Sequence, residues 1–202
     1  VHLMAGNVAT RAGYCALAAA GASSIRTSVG GGSICSTRMQ TGHGVPTFAA
    51  ILDCAEAFPK WEVPIIADGG IKDAGDIVKA LAAGASAVML GSLLAGTLET
   101  PGDMLTEEFE EGARYFKVYR GMASKEAQFA WHGHAASLEG VSAKIPYKGS
   151  VSDILSDLAQ NMRSGFSYSG ARSLAQLQAR AVFIEVSPLA RAESRTHILD
   201  KR

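Results

Sequence analysis

Ala18-Ala19-Ala20-Gly21-Ala22-Ser23-Ser24-Ile25-Arg26-Thr27-Ser28-Val29 and Leu81-Ala82-Ala83-Gly84-Ala85-Ser86-Ala87-Val88-Met89-Leu90-Gly91-Ser92 are two copies of one local solution. In each, a helix-like run ends on Ala-Gly-Ala-Ser and a strand-like run follows at once. Glycine lets the chain leave a helix through a left-handed turn that a Cβ disfavours. The same device used twice signals repeated βα units, as in a barrel.

Working outward, apolar runs bounded by glycine and polar residues predict strands at His2–Val8, Ser24–Val29, Val63–Ala67 and Ala87–Leu90. Helix-like runs at Arg11–Ala20, Thr47–Phe58 and Ala74–Ala83 lie between them. This alternation reads as parallel α/β. The stretch Leu98–Lys148 breaks it: rich in Glu and Gly, with Arg114–Arg120 a strand or hairpin arm and a polar run through Trp131, His132 and His134. An insertion of that length reads as a functional lid or flap. Helical patterns return at Ser150–Arg163 and Ser173–Ala181, followed by an apolar run Val182–Val186 and a polar tail.

With 202 residues, 48% of them hydrophobic, the chain can build one sizeable core. Its formal net charge is zero and it has no Lys/Arg block, which argues against nucleic acid as a partner. The apolar runs, such as Ala85–Leu90, are too short to cross a membrane. No signal-peptide pattern opens the chain, and its start at Val1 inside a strand-like run reads as a fragment or processed product. The three cysteines, Cys15, Cys35 and Cys54, have no repeated spacing, which points to a reducing, cytoplasmic setting. Cys15 and Cys54 fall in helix-like apolar stretches and read as core residues.

Cys35 differs. It follows Gly30-Gly31-Gly32-Ser33-Ile34 and precedes Ser36-Thr37-Arg38. Consecutive glycines let the backbone approach a ligand or ion, and a thiol on a polar loop is where a nucleophile would sit. Two further loops end strands: Asp68-Gly69-Gly70 and Leu90-Gly91-Ser92. They are either ordinary turns or, with Ser92 and glycine N–H groups, a phosphate site at a helix start. Asp68 is placed to accept from ribose hydroxyls or to form a turn. His43 is a loop histidine or a catalytic one. His132 and His134 have no neighbouring carboxylate or cysteine to complete a metal set.

Taken together, Ala5–Thr10 (AGNVAT), Val29–Arg38 (VGGGSICSTR), Thr41–Pro46 (TGHGVP), Ile65–Ile71 (IIADGGI), Val88–Glu99 (VMLGSLLAGTLE), Tyr119–Ser124 (YRGMAS), Glu139–Val141 (EGV), Pro146–Gly149 (PYKG) and Tyr168–Ala171 (YSGA) resemble the IMP dehydrogenase / GMP reductase family. The resemblance implies the second half of a TIM (β/α)₈ barrel: residues 1–97 as four βα units, 98–148 as a flap insertion, and 149–202 as C-terminal helices and tail. It implies an NAD(P)-dependent oxidoreductase in which Cys35 attacks C2 of a purine nucleoside monophosphate. The phosphate would lie on Ser33, Gly70, Gly91, Ser92 and Tyr119. Asp68, with Gly69 beside it, would hold the ribose. Gly121, Met122, Ala123 and Glu139 would contact the base. A potassium ion would sit on the carbonyls of Gly30, Gly32 and Cys35, with Glu193 of the tail Glu193-Ser194-Arg195-Thr196-His197 completing that site from a neighbouring subunit of a homotetramer. The family pattern Gly-x-Gly-Pro-Gly is replaced here by Ser28-Val29-Gly30-Gly31-Gly32.

The resemblance leaves two reaction directions. A dehydrogenase (IMP to XMP, with NAD) carries an Arg-Tyr pair on its flap to activate water, and none stands between Met122 and Pro146. A reductase (GMP to IMP, with NADP) uses a threonine two residues after the cysteine and a glutamate near the Gly-Met-x-Ser block. Thr37 and Glu126 match, although Lys125 holds the expected glutamate slot. The reductase is therefore favoured. The tail leans towards the dehydrogenase, and a truncated nucleotide-binding or regulatory paralogue is a third reading.

Overall fold

The computed structural model describes residues 1–136 and 139–194. Four strands, β1 (Met4–Val8), β2 (Ser24–Thr27), β3 (Ile65–Asp68) and β4 (Ala87–Met89), form one parallel sheet in that order. Ile25 pairs with Ile65, and Asp68 with Met89. Helices α1 (Arg11–Ala19), α3 (Thr47–Ala55) and α5 (Ala74–Ala82) cross between the strands. A short α2 (Thr37–Thr41) leads into α3, and α4 (Phe58–Trp61) follows it.

Local chemistry sets these boundaries. Thr10 caps α1 by accepting from the Gly13 amide, and Asp73 caps α5 by accepting from the Asp76 amide. Gly21 and Gly84, the repeated glycines, have φ of 91° and 116°. A Cβ on Gly84 would lie 2.5 Å from Ala55 Cβ, so close packing also requires glycine there. The third helix stops earlier than its pattern suggested: α3 ends at Ala55, and Pro59 fits only in the first turn of the separate α4.

The core lies between the sheet and its helices. Tyr14, Ile25, Ile51, Cys54, Ile65 and Ala67 are buried together, and the Tyr14 hydroxyl donates to the Val63 carbonyl at 2.7 Å. Burying a side chain such as Ile65 contributes about 2 kcal/mol. Burial also pushes the Cys54 thiol up to about 11, as fits a core residue, whereas Cys15 is only partly buried. The alternate side chains Arg26 and Asp68 form an ion pair at 2.7 Å. A second cluster joins α5 to α7 (Val151–Tyr168) and α8 (Leu174–Arg180) through Ile77, Leu81 and Leu177. Gly165 permits that approach, since a Cβ there would lie 2.8 Å from Val78.

Residues 98–148 contain a three-stranded antiparallel sheet: β5 (Leu105–Phe109), β6 (Gly112–Arg120) and β7 (Ser142–Pro146), with α6 (Lys125–His132) between β6 and β7. Its base is tied down where the Leu98 amide meets the Gly149 carbonyl and the Lys148 amide meets that of Gly96. Lys117, buried, donates to the carbonyls of Leu98 and Thr100. The run Val182–Val186 has no strand assignment, though Phe183 packs edge-on against Phe48 at 4.9 Å. The polar tail contains a helix, α9 (Pro188–Glu193), capped by Ser187. Residues 195–197 lie outside the described residues.

Candidate active site

The loop after β2 carries the thiol. The Cys35 amide donates to the Gly32 carbonyl at 3.1 Å, closing a tight turn. Residues of the insertion then grip the loop: the Ser36 amide donates to the Glu139 carbonyl and the Val141 amide to the Ile34 carbonyl. Gly140 bridges both Cys35 and Ser124, and a Cβ on it would lie 3.0 Å from the Ser124 amide. The Cys35 thiol donates to Thr37 Oγ1 at 3.1 Å. Arg38, three residues after the thiol in sequence, turns its guanidinium to the carbonyls of Val45 and Val29. Its aliphatic stem passes so close to Gly30 and Gly44 that a Cβ on either would lie 2.5 Å from it.

A cleft of about 370 Å³ opens on Cys35, within the range of small-molecule sites. Its walls include Gly30, Gly32, Asp68, Tyr119, Gly121, Met122, Ala123 and Glu139. A smaller pocket of about 120 Å³ adjoins it, lined by Ser33, Gly69, Gly70, Gly91 and Ser92. Gly31, Gly32, Asp68 and Tyr119 line both. The Tyr119 ring reaches across so that a Cβ on Gly91 would lie 2.6 Å from its hydroxyl. The segment after β4 corrects one expectation: Gly91–Ala95 is a single turn closed by the Ala95 amide on the Gly91 carbonyl, not a helix start.

Three anticipated residues line neither cavity. Thr37 sits behind Cys35 as its acceptor. Glu126 lies in the first turn of α6 and accepts from the Ser142 hydroxyl at 2.8 Å. Its own amide and that hydroxyl hold its carboxyl below the ordinary range. Glu193 ends α9. His43 is exposed and turned onto the Thr41 carbonyl. Among the described residues, no group of three or more His, Cys, Asp or Glu is arranged to hold a metal ion.

Sequence reading assigned no role to Asn7, Arg26, Lys72 or Lys148. Asn7 Nδ2 and Arg26 Nη2 both donate to Asp68 Oδ2 at 2.7 Å, which leaves Oδ1 for a ligand. The signal for Arg26 was a charged residue within the strand Ser24-Ile25-Arg26-Thr27. Lys72 lines the smaller pocket. Lys148 donates to the Ser92 carbonyl at 2.5 Å and to the Leu93 carbonyl at 3.3 Å, and burial lowers its pKa.

The chain has recognisable relatives. A family model described as the IMP dehydrogenase / GMP reductase domain matches residues 1–197. Inosine-5'-monophosphate dehydrogenase of Nitrosopumilus maritimus is 46% identical over 208 residues, covering 97% of this chain and 43% of that protein. GMP reductase of Leishmania donovani is 43% identical over 211 residues, covering 100% of this chain and 42% of that protein. A crystal structure of a cysteine-to-alanine variant of GMP reductase from Trypanosoma brucei, in complex with guanosine 5'-monophosphate, matches with a TM-score of 0.91 at 40% identity. That match covers 98% of this chain and 41% of the other. The chain therefore spans less than half the length of these relatives.

Proposed function

The chain belongs to the IMP dehydrogenase / GMP reductase family, and from that premise we propose that it is the thiol-bearing part of a purine-nucleotide oxidoreductase. One observation carries the reading. The thiol cleft and the glycine-lined pocket are joined through Gly31, Gly32, Asp68 and Tyr119. The first suits a base and its sugar; the second suits a phosphate. Glycine amides and the hydroxyls of Ser33, Ser92 and Tyr119 are the donors an anion requires, and Lys72 adds charge. Asp68 Oδ1 would accept from the ribose.

In this proposal the four parallel strands are an arc of a (β/α)₈ barrel. The arrangement in favour is a parallel sheet whose edge strands β1 and β4 have no further partner among the described strands. Residues 98–148 act as the flap, and the working protein is a cytoplasmic homotetramer. A potassium ion on the carbonyls of Gly30, Gly32 and Cys35 suits a turn that presents backbone oxygens. Glu193 would join it from a neighbouring subunit.

Cys35 Sγ bonds to C2 of the purine. In the reductase direction the bond from C2 to the amino nitrogen breaks and ammonia leaves. Hydride delivered to C2 would break the S–C2 bond, and Cys35 would leave as a thiolate that takes a proton from water to become the thiol again. A bound nicotinamide dinucleotide, NADPH in this direction, supplies that hydride. Thr37 orients the thiol. Glu126, ionised, would accept the proton the thiol gives up and pass it to the departing amino nitrogen, with the first turn of α6 brought onto the bound base. The reductase is favoured because 122–146 contains no Arg-Tyr pair to activate water. The dehydrogenase reading draws on Glu193-Ser194, the start of the tail that leans that way, and on relatives such as that of N. maritimus. Assaying the full-length protein with GMP plus NADPH, and separately with IMP plus NAD⁺, decides between them. NADPH oxidation that depends on GMP is expected. XMP formation without it overturns the reductase, and no turnover with either pair leaves the nucleotide-binding paralogue.

A further inference from the structure

We infer that the hydroxyl pair Ser28–Thr47 is the positioning device of the thiol loop, holding Gly31 in place so that Cys35 faces the base while Ser33 faces the phosphate. The inference deepens the nucleotide reading and rests on it.

Ser28 is 2% exposed and has φ of 127°, a region that residues with a Cβ rarely occupy. Something must hold it there, and each of its polar groups is engaged by another element. Its amide donates to the Val8 carbonyl of β1 at 2.8 Å. Its carbonyl accepts from Asn7 Nδ2 at 3.0 Å. Its hydroxyl meets Thr47 Oγ1, on the first residue of α3, at 2.8 Å.

That hydroxyl pair fills the space next to Gly31. A Cβ on Gly31 would lie 2.6 Å from Thr47 Oγ1 and 2.7 Å from Ser28 Oγ. A Cβ on Gly69 would lie 2.7 Å from the Gly31 carbonyl carbon. Gly31 is therefore clamped between the hydroxyl pair and the loop after β3. Gly32, the next residue, accepts the hydrogen bond that orients Cys35. The two departures from the Gly-x-Gly-Pro-Gly pattern, serine at 28 and glycine at 31, thus lie against each other in space. The serine hydroxyl occupies the room that a side chain at 31 would need, and its bond to Thr47 supplies the stiffness a proline ring would give.

The test compares Thr47→Val, which keeps the shape and removes the hydroxyl, with Thr47→Ser, which keeps the hydroxyl. In the full-length protein without ligand, iodoacetamide alkylation of each cysteine is followed by peptide mass. Thr47→Val is expected to shift the Cys35 rate about fivefold, the scale of one hydrogen bond. Thr47→Ser should leave it unchanged, and buried Cys54 should stay protected in both. Ser28→Ala is the second variant, expected to match Thr47→Val if that protein folds poorly. Gly31→Ala should disturb Cys35 more in the native background than in Ser28→Gly/Thr47→Ala, where the space is open. Wild-type Cys35 rates in both Thr47→Val and Ser28→Ala overturn the inference, as does a shift in which Cys54 is equally unmasked. Adding GMP or IMP separates the two readings. A shifted Cys35 rate with no nucleotide protection of the native thiol overturns the nucleotide reading and, with it, the stated purpose of the pair, while leaving the clamp itself supported.

Discussion

The parallel sheet and the antiparallel sheet are held together by different forces. In β2 and β3, Ile25, Thr27, Ile65, Ile66 and Ala67 are all buried. In the three strands of the 98–148 insertion, Lys117 alone is buried. That sheet relies on strand pairing, on surface ion pairs such as Lys144–Glu107 at 2.5 Å, and on Arg114 over the Phe109 ring. Exposed pairs contribute little, typically below about 1 kcal/mol. The first region is thus built to hold loops at fixed positions. The second buries little apolar surface and meets the thiol loop through the backbone hydrogen bonds of Glu139 and Val141. In the proposed function, the rigid region carries the thiol and the phosphate donors. The antiparallel region carries Glu126, which in that proposal handles the proton that decides the fate of the thiol adduct.

The largest effect expected is on chemistry. Cys35→Ser should lower turnover by about 10⁴-fold or more, the scale at which loss of a nucleophile acts, in a steady-state assay with either substrate pair. Next comes the difference in packing between the two sheets. Ile65→Ala should cost about 2–5 kcal/mol in denaturant unfolding, whereas Val118→Ala on the exposed face of β6 should stay within about 0.5 kcal/mol. Equal losses would break the comparison. Lys117→Met tests the tether at the base of the insertion. Losing its two hydrogen bonds should cost about 1–3 kcal/mol and raise amide hydrogen exchange in β5–β7 while leaving β2 and β3 protected.

The smallest effect is a pH dependence. Glu99 accepts from the Val151 amide and the Ser150 hydroxyl at the start of α7, and the Val151 amide chiefly holds its pKa below the ordinary carboxylate range. A carboxyl depressed in the folded state contributes stability that is present above its unfolded pKa. That contribution is lost as pH falls through the folded value. The melting temperature should therefore drop on acidification below the ordinary Glu range, and Glu99→Gln should flatten part of that slope.

The parts legible in the sequence are those with a local cause. Gly21 and Gly84 announce their turns, because these residues act on their own backbone neighbours. Cys35 and the two glycine loops were visible for the same reason. β5 and β7 were not, because Leu105-Thr106-Glu107-Glu108-Phe109 and Ser142-Ala143-Lys144-Ile145-Pro146 have little apolar burial to advertise and exist through pairing with β6. α6 was hidden by its polar composition, although Ser124 caps it by accepting from the Ala127 amide. The hold of Asn7 and Arg26 on Asp68 joins three strands. The hold of Lys148 on the Ser92 loop bridges parts of the chain 56 positions apart. No local pattern encodes either.

In the proposed function, Cys35 forms a covalent bond to a purine nucleotide seated across the two pockets. Rapid-quench mass spectrometry of the full-length protein during turnover, with GMP and NADPH or with IMP and NAD⁺, tests it directly. The account predicts a nucleotide-mass adduct confined to the peptide containing Cys35 and absent from Cys35→Ser. Sustained turnover by Cys35→Ser, or an adduct found only on Cys15 or Cys54, would contradict it.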